Sequence, residues 1–538
     1  MRTVLRALCV AVLGACTAQG SFDLVLTLPD NPELRPTGMT TVTVVLTSGD
    51  DQPIATTSVL DGNTFAGGDL EAARNVRIEV ELRDVTNRLV GVGEASEPVD
   101  IVAGQATVVS IPVRRPFVYA SNGVSLFSFD PTLDPTDGKF QGQLAGATTP
   151  RVVVSVGGDR LAIVGNTLIT VIATDTNAVI GTPIALPGTT RDATAVPGTG
   201  KIAVAHNAGI SIVDLDTGSV ASAMVGPVDR VTAGPGADGR LRAHGLIGRV
   251  QPTINPLDSC TGTSSLVTID VDAPQIVTAK PLGEAVSDLA AAPESVGLFA
   301  TLPCSNRVAK IEGDFDTGSP TLVEFAPLSR AAVVAVAGGR VFAAGTDPAL
   351  PHCVAANGAA AACLPDSTPG ACPPSALPAN SVDYVTEGAH LVVQSIPLAG
   401  GMPITLDLSG RRETIFDEDD PAKQHAQVLQ AIGTVPLDLV ALPGGQQVGL
   451  VATSTYYIQQ LTAGAQTVLP CLDATTSDWM LLDLASSSIA QRVRTSCALV
   501  VGPADAFPNW ECDVPPLGER SAFGDYVPVS VGALFGAR

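Results

Sequence analysis

From Phe117 onward the chain repeats one short pattern, and that repeat restricts its possible folds more than any other feature of its 538 residues. Six segments, beginning at Arg151, Asp192, Arg230, Asp288, Ala331 and Asp438, align without gaps as a start position, an apolar strand and a turn. A second apolar strand such as Lys201-Ile202-Ala203-Val204-Ala205 follows each. A third ends in an Asp-rich turn, as in Ile212-Val213-Asp214-Leu215-Asp216-Thr217-Gly218. One unit of this size cannot bury its apolar faces alone, so neighbouring units must stack. Four strands per unit, stacked radially, predict a β-propeller.

Closure sets the expected number of blades. Residues 117–144 supply three strands without an innermost one, and Tyr526-Val527-Pro528-Val529-Ser530-Val531-Gly532 carries the innermost pattern. The C-terminal strand is therefore expected to complete the first blade, giving a seven-bladed propeller over residues 115–538. The interval from Ala331 to Asp438 is much the longest, and Val382-Asp383-Tyr384-Val385 with Leu391-Val392-Val393 would open an eighth blade. Seven is preferred, because residues 348–380 are Ala, Pro, Gly and Cys rather than two strands.

Upstream, residues 22–114 alternate apolar and polar positions in short runs, for example Thr41-Val42-Thr43-Val44-Val45-Leu46 and Val76-Arg77-Ile78-Glu79-Val80-Glu81-Leu82. Period two with turns between predicts an antiparallel sheet pair of about seven strands, so the chain as a whole is all-β. This β-sandwich resembles an immunoglobulin-like domain without the Cys-Trp-Cys core of antibody domains. Arg114-Arg115-Pro116 marks the boundary.

Residues 1–15 read as a targeting segment. Arg2 and Arg6 precede an apolar run too short to span a bilayer, and Leu13-Gly14-Ala15-Cys16 resembles the lipobox of bacterial lipoproteins. The resemblance implies that Cys16 becomes the first mature residue and carries the lipid, with 16–21 as a short tether. An ordinary secretory signal is the alternative. Thr17 after Cys16 favours the outer membrane, on its periplasmic side or the cell surface.

Of ten cysteines, Cys9 leaves with the signal and Cys16 serves the anchor. Cys260, Cys304, Cys353, Cys363, Cys372, Cys471, Cys497 and Cys512 remain, an even set in an exported chain that predicts disulfides. Cys260 to Cys304 is the best single pair, because both occupy the same inter-strand link in neighbouring blades. No two cysteines have zinc-site spacing.

Val171-Ile172-Ala173-Thr174-Asp175-Thr176-Asn177-Ala178-Val179-Ile180 resembles the repeat of YVTN-type propellers, which end one strand on Asp-Thr-Asn and begin the next with Ala-Val-Ile. Phe117-Val118-Tyr119-Ala120-Ser121-Asn122 is the nearest approach to the Tyr-Val-Thr-Asn element itself. The resemblance implies the fold and leaves function open, since such propellers include lactonases, dehydrogenase relatives and binding proteins.

Net charge is −23 with no basic stripe, which excludes nucleic acid as the main partner. In ring order Tyr526, Arg151, Asp192, Arg230, Asp288, Ala331 and Asp438 start the innermost strands, at the top mouth of the central channel. A polar mouth of this kind suits a small ligand or ion, but neighbouring Arg and Asp also satisfy one another. His206 and His244 are expected at matching top positions of adjacent second strands.

The eight cysteines and the insertions near 250–263, 346–381, 409–437, 462–477 and 495–525 fall in top-face links, so one face is expected to be elaborated and stapled. Asp417-Glu418-Asp419-Asp420 precedes Pro421, which is expected to open a short helix through Ile432. The four carboxylates are of the type that takes Ca²⁺, and a solvated helix start explains them equally well. No nucleophile elbow, phosphate loop or nucleotide fingerprint appears.

Two functions fit. The first is a monomeric, lipid-anchored envelope protein, not an enzyme, whose top face binds a protein or glycan. The second is a lactonase-like or other hydrolytic enzyme acting at the channel mouth.

Overall fold

The computed structural model describes most of residues 19–129, 152–347, 390–407, 426–499 and 530–534, with 353–354 and 360–361. Two compact units result, one ending at Pro116 and the other spanning Phe117–Leu534.

Among its described residues the first unit has eight strands where about seven were expected: β1 (Gln19–Thr27), β2 (Thr41–Ser48), β3 (Ile54–Val59), β4 (Thr64–Glu71), β5 (Ala73–Arg83), β6 (Leu89–Glu94), β7 (Val99–Ile101) and β8 (Ala106–Arg114). Nor is it wholly antiparallel, because β1 pairs with β8 in parallel from Ser21↔Ala106 to Thr27↔Pro112. Beyond Pro112, β8 changes partner and joins β6 through Val92↔Arg114 and Gly93↔Val113. Proline suits such a switch, since it has no N–H to give to a ladder. Gly93 lies against the crossing: a Cβ there would sit 2.5 Å from the Pro112 carbonyl oxygen. The strands thus follow one hydrogen-bonded order, β3-β2-β5-β6-β8-β1-β4, with β7 on β5 and the change of partner along β8 linking its two halves. Leu24 and Leu26, Val42 and Val44, Ile78, Val80 and Leu82, and Val109, Ile111 and Val113 alternate along their strands and fill one core.

The second unit is a ring of sheets. β9 (Phe117–Ser121) and β10 (Leu126–Phe129) form a sheet with the last strand of the chain. β11 (Val152–Val156), β12 (Arg160–Val164), β13 (Leu168–Ala173) and β14 (Val179–Ala185) form the next. Then come β15 (Thr190–Ala195), β16 (Lys201–His206), β17 (Gly209–Asp214) and β18 (Val220–Ala223). β19 (Arg230–Pro235), β20 (Leu241–Ile247), β21 (Ser265–Asp270) and β22 (Ile276–Pro281) follow. β23 (Asp288–Ala291), β24 (Leu298–Leu302), β25 (Arg307–Glu312) and β26 (Thr321–Pro327) make the fifth.

In the sixth sheet, β27 (Val333–Ala337) and β28 (Arg340–Asp347) are separated from β31 (His390–Pro397) and β32 (Ile404–Asp407) by an insertion that holds the small hairpin β29 (Cys353–Val354) and β30 (Ala360–Ala361). Leu391-Val392-Val393 therefore lies in the third strand of this sheet and does not open a sheet of its own. The last four-stranded sheet is β33 (Ala426–Ala441), β34 (Gln447–Gln460), β35 (Leu472–Asp483) and β36 (Ser488–Leu499). It overturns two expectations. The short helix through Ile432 is strand from Ala426 onward, because thirteen residue pairs with β34 hold it extended. Parts of the expected loops 409–437, 462–477 and 495–525 are likewise strand, with Cys497 in β36 paired to Thr476.

β37 (Ser530–Leu534) closes the first sheet, pairing antiparallel with β9 from Ser530↔Ser121 to Leu534↔Phe117. Closure by the C-terminal strand is as expected; of the expected stretch 526–532, the described residues Ser530, Val531 and Gly532 lie in β37 and residues 526–529 lie outside the described residues. The inner strands β11, β15, β19, β23, β27 and β33 neighbour one another in that order, and β37 touches both β33 and β11. Apolar residues of adjacent sheets fill the spaces between: Ile202 and Val204 against Val154 and Val164, and Leu298 and Ala300 against Leu246 and Leu266.

Turns repeat with the sheets. Asp214 Oδ1 accepts the N–H groups of Asp216 and Thr217, and Asp270 Oδ1 those of Asp272 and Ala273. The next carboxylate in each turn reaches back to the preceding sheet: Arg160 pairs with Asp216, and Lys201 with Asp272. These half-exposed pairs set register between sheets more than they add stability.

Candidate functional site

Two aspartates at the same end of the ring make the same contact. Asp192 Oδ2 accepts the backbone N–H of Val231 at 2.9 Å, and Asp288 Oδ2 that of Val334 at 3.1 Å. Each joins its own inner strand to the next. Val231 follows Arg230 and Val334 follows Val333, so Val333 holds in β27 the place of Arg230 in β19. The ungapped repeat had put Ala331 there. The buried Ser287 hydroxyl donates to the Ala332 carbonyl at 2.9 Å, and the Ala332 N–H donates to the Ala344 carbonyl at 2.9 Å, so Ala332 enters the pairing with β28 just ahead of Val333.

Arg230 lies between the two carboxylates. Its Nη1 is 3.3 Å from Asp192 Oδ1, and its Nε is 3.3 Å from Asp288 Oδ1, the second an ion pair without hydrogen-bond alignment. Nη2 donates to the Leu437 carbonyl at 3.4 Å, on β33. Burial works against the Arg230 charge, but Asp288, Asp192 and Asp438 outweigh it and raise its pKa. The Asp192 pKa is also raised, by burial first; the opposing effects of Arg230 and the Val231 N–H do not cancel it. Both directions are compatible because one guanidinium is shared among several carboxylates, each desolvated separately.

Of the expected mouth residues, the structure brings together Asp192, Arg230, Asp288 and Asp438, whose Oδ1 accepts the Leu439 N–H at 3.1 Å. Arg151 and Tyr526 lie outside the described residues, as do Cys16, Cys363, Cys372, Cys471, Cys512 and the Asp417-Glu418-Asp419-Asp420 cluster. Two further arginines reach this end unforeseen. Arg191, bulged out of β15, pairs with Asp229. Arg249, in the link after β20, donates from Nε to the Ser287 carbonyl at 2.7 Å. Its place just past a second strand was legible in the repeat, but its turn toward the next sheet was not.

His206 and His244 are buried and sit at different levels. His206 pairs with Thr190, beyond Asp192, whereas His244 pairs with Thr232, two residues inside Arg230. They therefore do not match. His206 Nδ1 accepts the Ala208 N–H at 3.2 Å, which leaves Nε2 as the donor to Ser211 Oγ at 2.9 Å. In this tautomer the ring cannot take a proton from Ser211. His244 Nδ1 is 3.0 Å from Thr268 Oγ1, and burial, with Arg242 adding to it, lowers its pKa to about 4.

Cys260 and Cys304 are bonded, with Cα atoms 5.9 Å apart, so the second-to-third-strand links of adjacent sheets are tied together as expected. Among the described residues no three His, Cys, Asp or Glu side chains converge as a metal site.

No protein-family model matches the chain, and no curated protein does. Among solved structures it is similar to hydrazine synthase of Kuenenia stuttgartiensis, at 13% identity and a TM-score of 0.38, over 71% of this chain and 89% of that one.

Proposed function

We propose that this is a lipid-anchored envelope protein whose propeller presents a disulfide-stapled face to a protein or glycan. In this reading Cys16 carries the lipid, the sandwich is an immunoglobulin-like spacer, and the ring is a YVTN-type propeller of seven blades. The observation that carries it is the state of the mouth. Asp192, Arg230 and Asp288 are engaged with one another and with the neighbouring backbone. Recognition of the protein or glycan then falls to the links above, two of which are held by Cys260–Cys304. Ordering those links before binding reduces the entropy lost on association.

The test is binding of the full chain to purified envelope polysaccharides and peptidoglycan, beside a variant carrying Cys260→Ser and Cys304→Ser. Saturable binding that the variant weakens supports the proposal. Hydrolysis of a sugar lactone that Asp192→Asn abolishes would overturn it in favour of the enzyme. Labelling with a radioactive fatty acid checks the anchor, and label retained in Cys16→Ser would refute it.

A further inference from the structure

We infer that the mouth of the ring carries a subsite for one carboxylate group, read by Arg249. Among the described residues Arg191 is paired with Asp229, and Arg230 lies between Asp192 and Asp288. Arg249 differs from both. Among the described residues its acceptors are neutral: the Ser287 carbonyl, 2.7 Å from Nε, and Gln251 Oε1, 3.5 Å from Nη1. The bond at Nε fixes the guanidinium plane, and the edge formed by Nη1 and Nη2 carries, among the described residues, only the long 3.5 Å contact to Gln251 Oε1. That edge is the fork that a carboxylate fits in two parallel hydrogen bonds.

The residue is held in place before any ligand arrives. Asp229 Oδ2 accepts the backbone N–H groups of Gly248 and Arg249 at 2.9 and 3.1 Å. The charge is also poorly offset: burial first, then Arg230, bring the Arg249 pKa down to about 10 against the pull of Asp288, Asp192 and Asp438. Asp192 and Asp288 cannot serve it better, because each is already engaged by Arg230 and a backbone N–H. A carboxylate brought by a ligand supplies the missing countercharge.

The ligand is small and singly charged. A chain of net charge −23 repels acidic polymers, and the aspartates around Arg249 limit the subsite to one negative group. This goes beyond the proposed binding face and holds whatever the stapled links bind.

The full chain is titrated calorimetrically at pH 7 and low ionic strength with acetate, lactate, galacturonate and inorganic phosphate. One-to-one binding of at least one carboxylate is expected. Affinity should fall about 10- to 100-fold in Arg249→Gln and about tenfold in Arg249→Lys, which keeps the charge and loses the fork. A second measurement needs no variant: bound carboxylate should slow phenylglyoxal modification of Arg249 and leave the exposed Arg240 unaffected. No carboxylate binding, a preference for phosphate, unchanged affinity in a folded Arg249→Gln, or unprotected Arg249 would each overturn the assignment. Envelope-polysaccharide binding is read separately in the cysteine variant, so either proposal can fail alone.

Discussion

Asp192 and Val231, 39 positions apart, are joined by a 2.9 Å hydrogen bond from the Val231 N–H to Oδ2, so a side chain does between sheets what backbone does within them. The same carboxylate faces Arg230 through its other oxygen. Removing it leaves a buried N–H without its acceptor and takes one countercharge from a buried guanidinium.

Asp192→Ala should therefore destabilise the second unit by about 2–4 kcal/mol, read as a lower urea midpoint. Its pH dependence has a definite sign. The folded-state pKa is raised, so the folded chain holds this proton more tightly than the unfolded one, and stability contributed by Asp192 falls as pH rises from 3.8 through the raised value. Asp192→Asn should flatten that segment of the stability curve; an unchanged slope would show that the carboxylate is better compensated than its burial implies.

His244 acts in the opposite direction. Its pKa falls from 6.5 to about 4, so the contribution is complete above pH 6.5 and is lost as pH drops toward 4. The loss amounts to about 3 kcal/mol by linkage. Urea titrations at pH 7 and pH 4.5 should show a larger drop for the wild type than for His244→Gln. An imidazole that titrates near pH 6.5 by NMR would rule this out.

The Cys260–Cys304 bond closes 44 positions of chain. Its removal should cost about 2–4 kcal/mol, mostly by freeing the unfolded state. Non-reducing peptide mapping should recover the two linked, and equal stability of the double serine variant would contradict the estimate.

Deleting residues 530–538 removes the partner of β9 from Phe117 to Ser121. Each buried backbone group left unpaired costs about 1–3 kcal/mol, and the ring opens between β33 and β11. The whole second unit should then melt earlier and digest faster. An unchanged midpoint would mean that the ring closes by another route and would reopen the blade count.

Local periodicity determined the all-β class, the division near Pro116, the repeat, and the neighbouring links that bring Cys260 to Cys304. These follow from side chains that alternate every two residues and from turns built on adjacent aspartates, both of which are written within a few positions. Tertiary structure decided what depends on partners far along the chain. A slip of two residues preserves the facing pattern, so alternation alone does not distinguish Val333 from Ala331 as the start of β27. Read locally, Pro421 opens a short helix through Ile432; pairing with β34 instead holds the residues from Ala426 extended. The mouth depends on distance of the same kind: Arg230 and Leu437 are 207 positions apart, and Arg249 meets Ser287 only once two sheets are side by side.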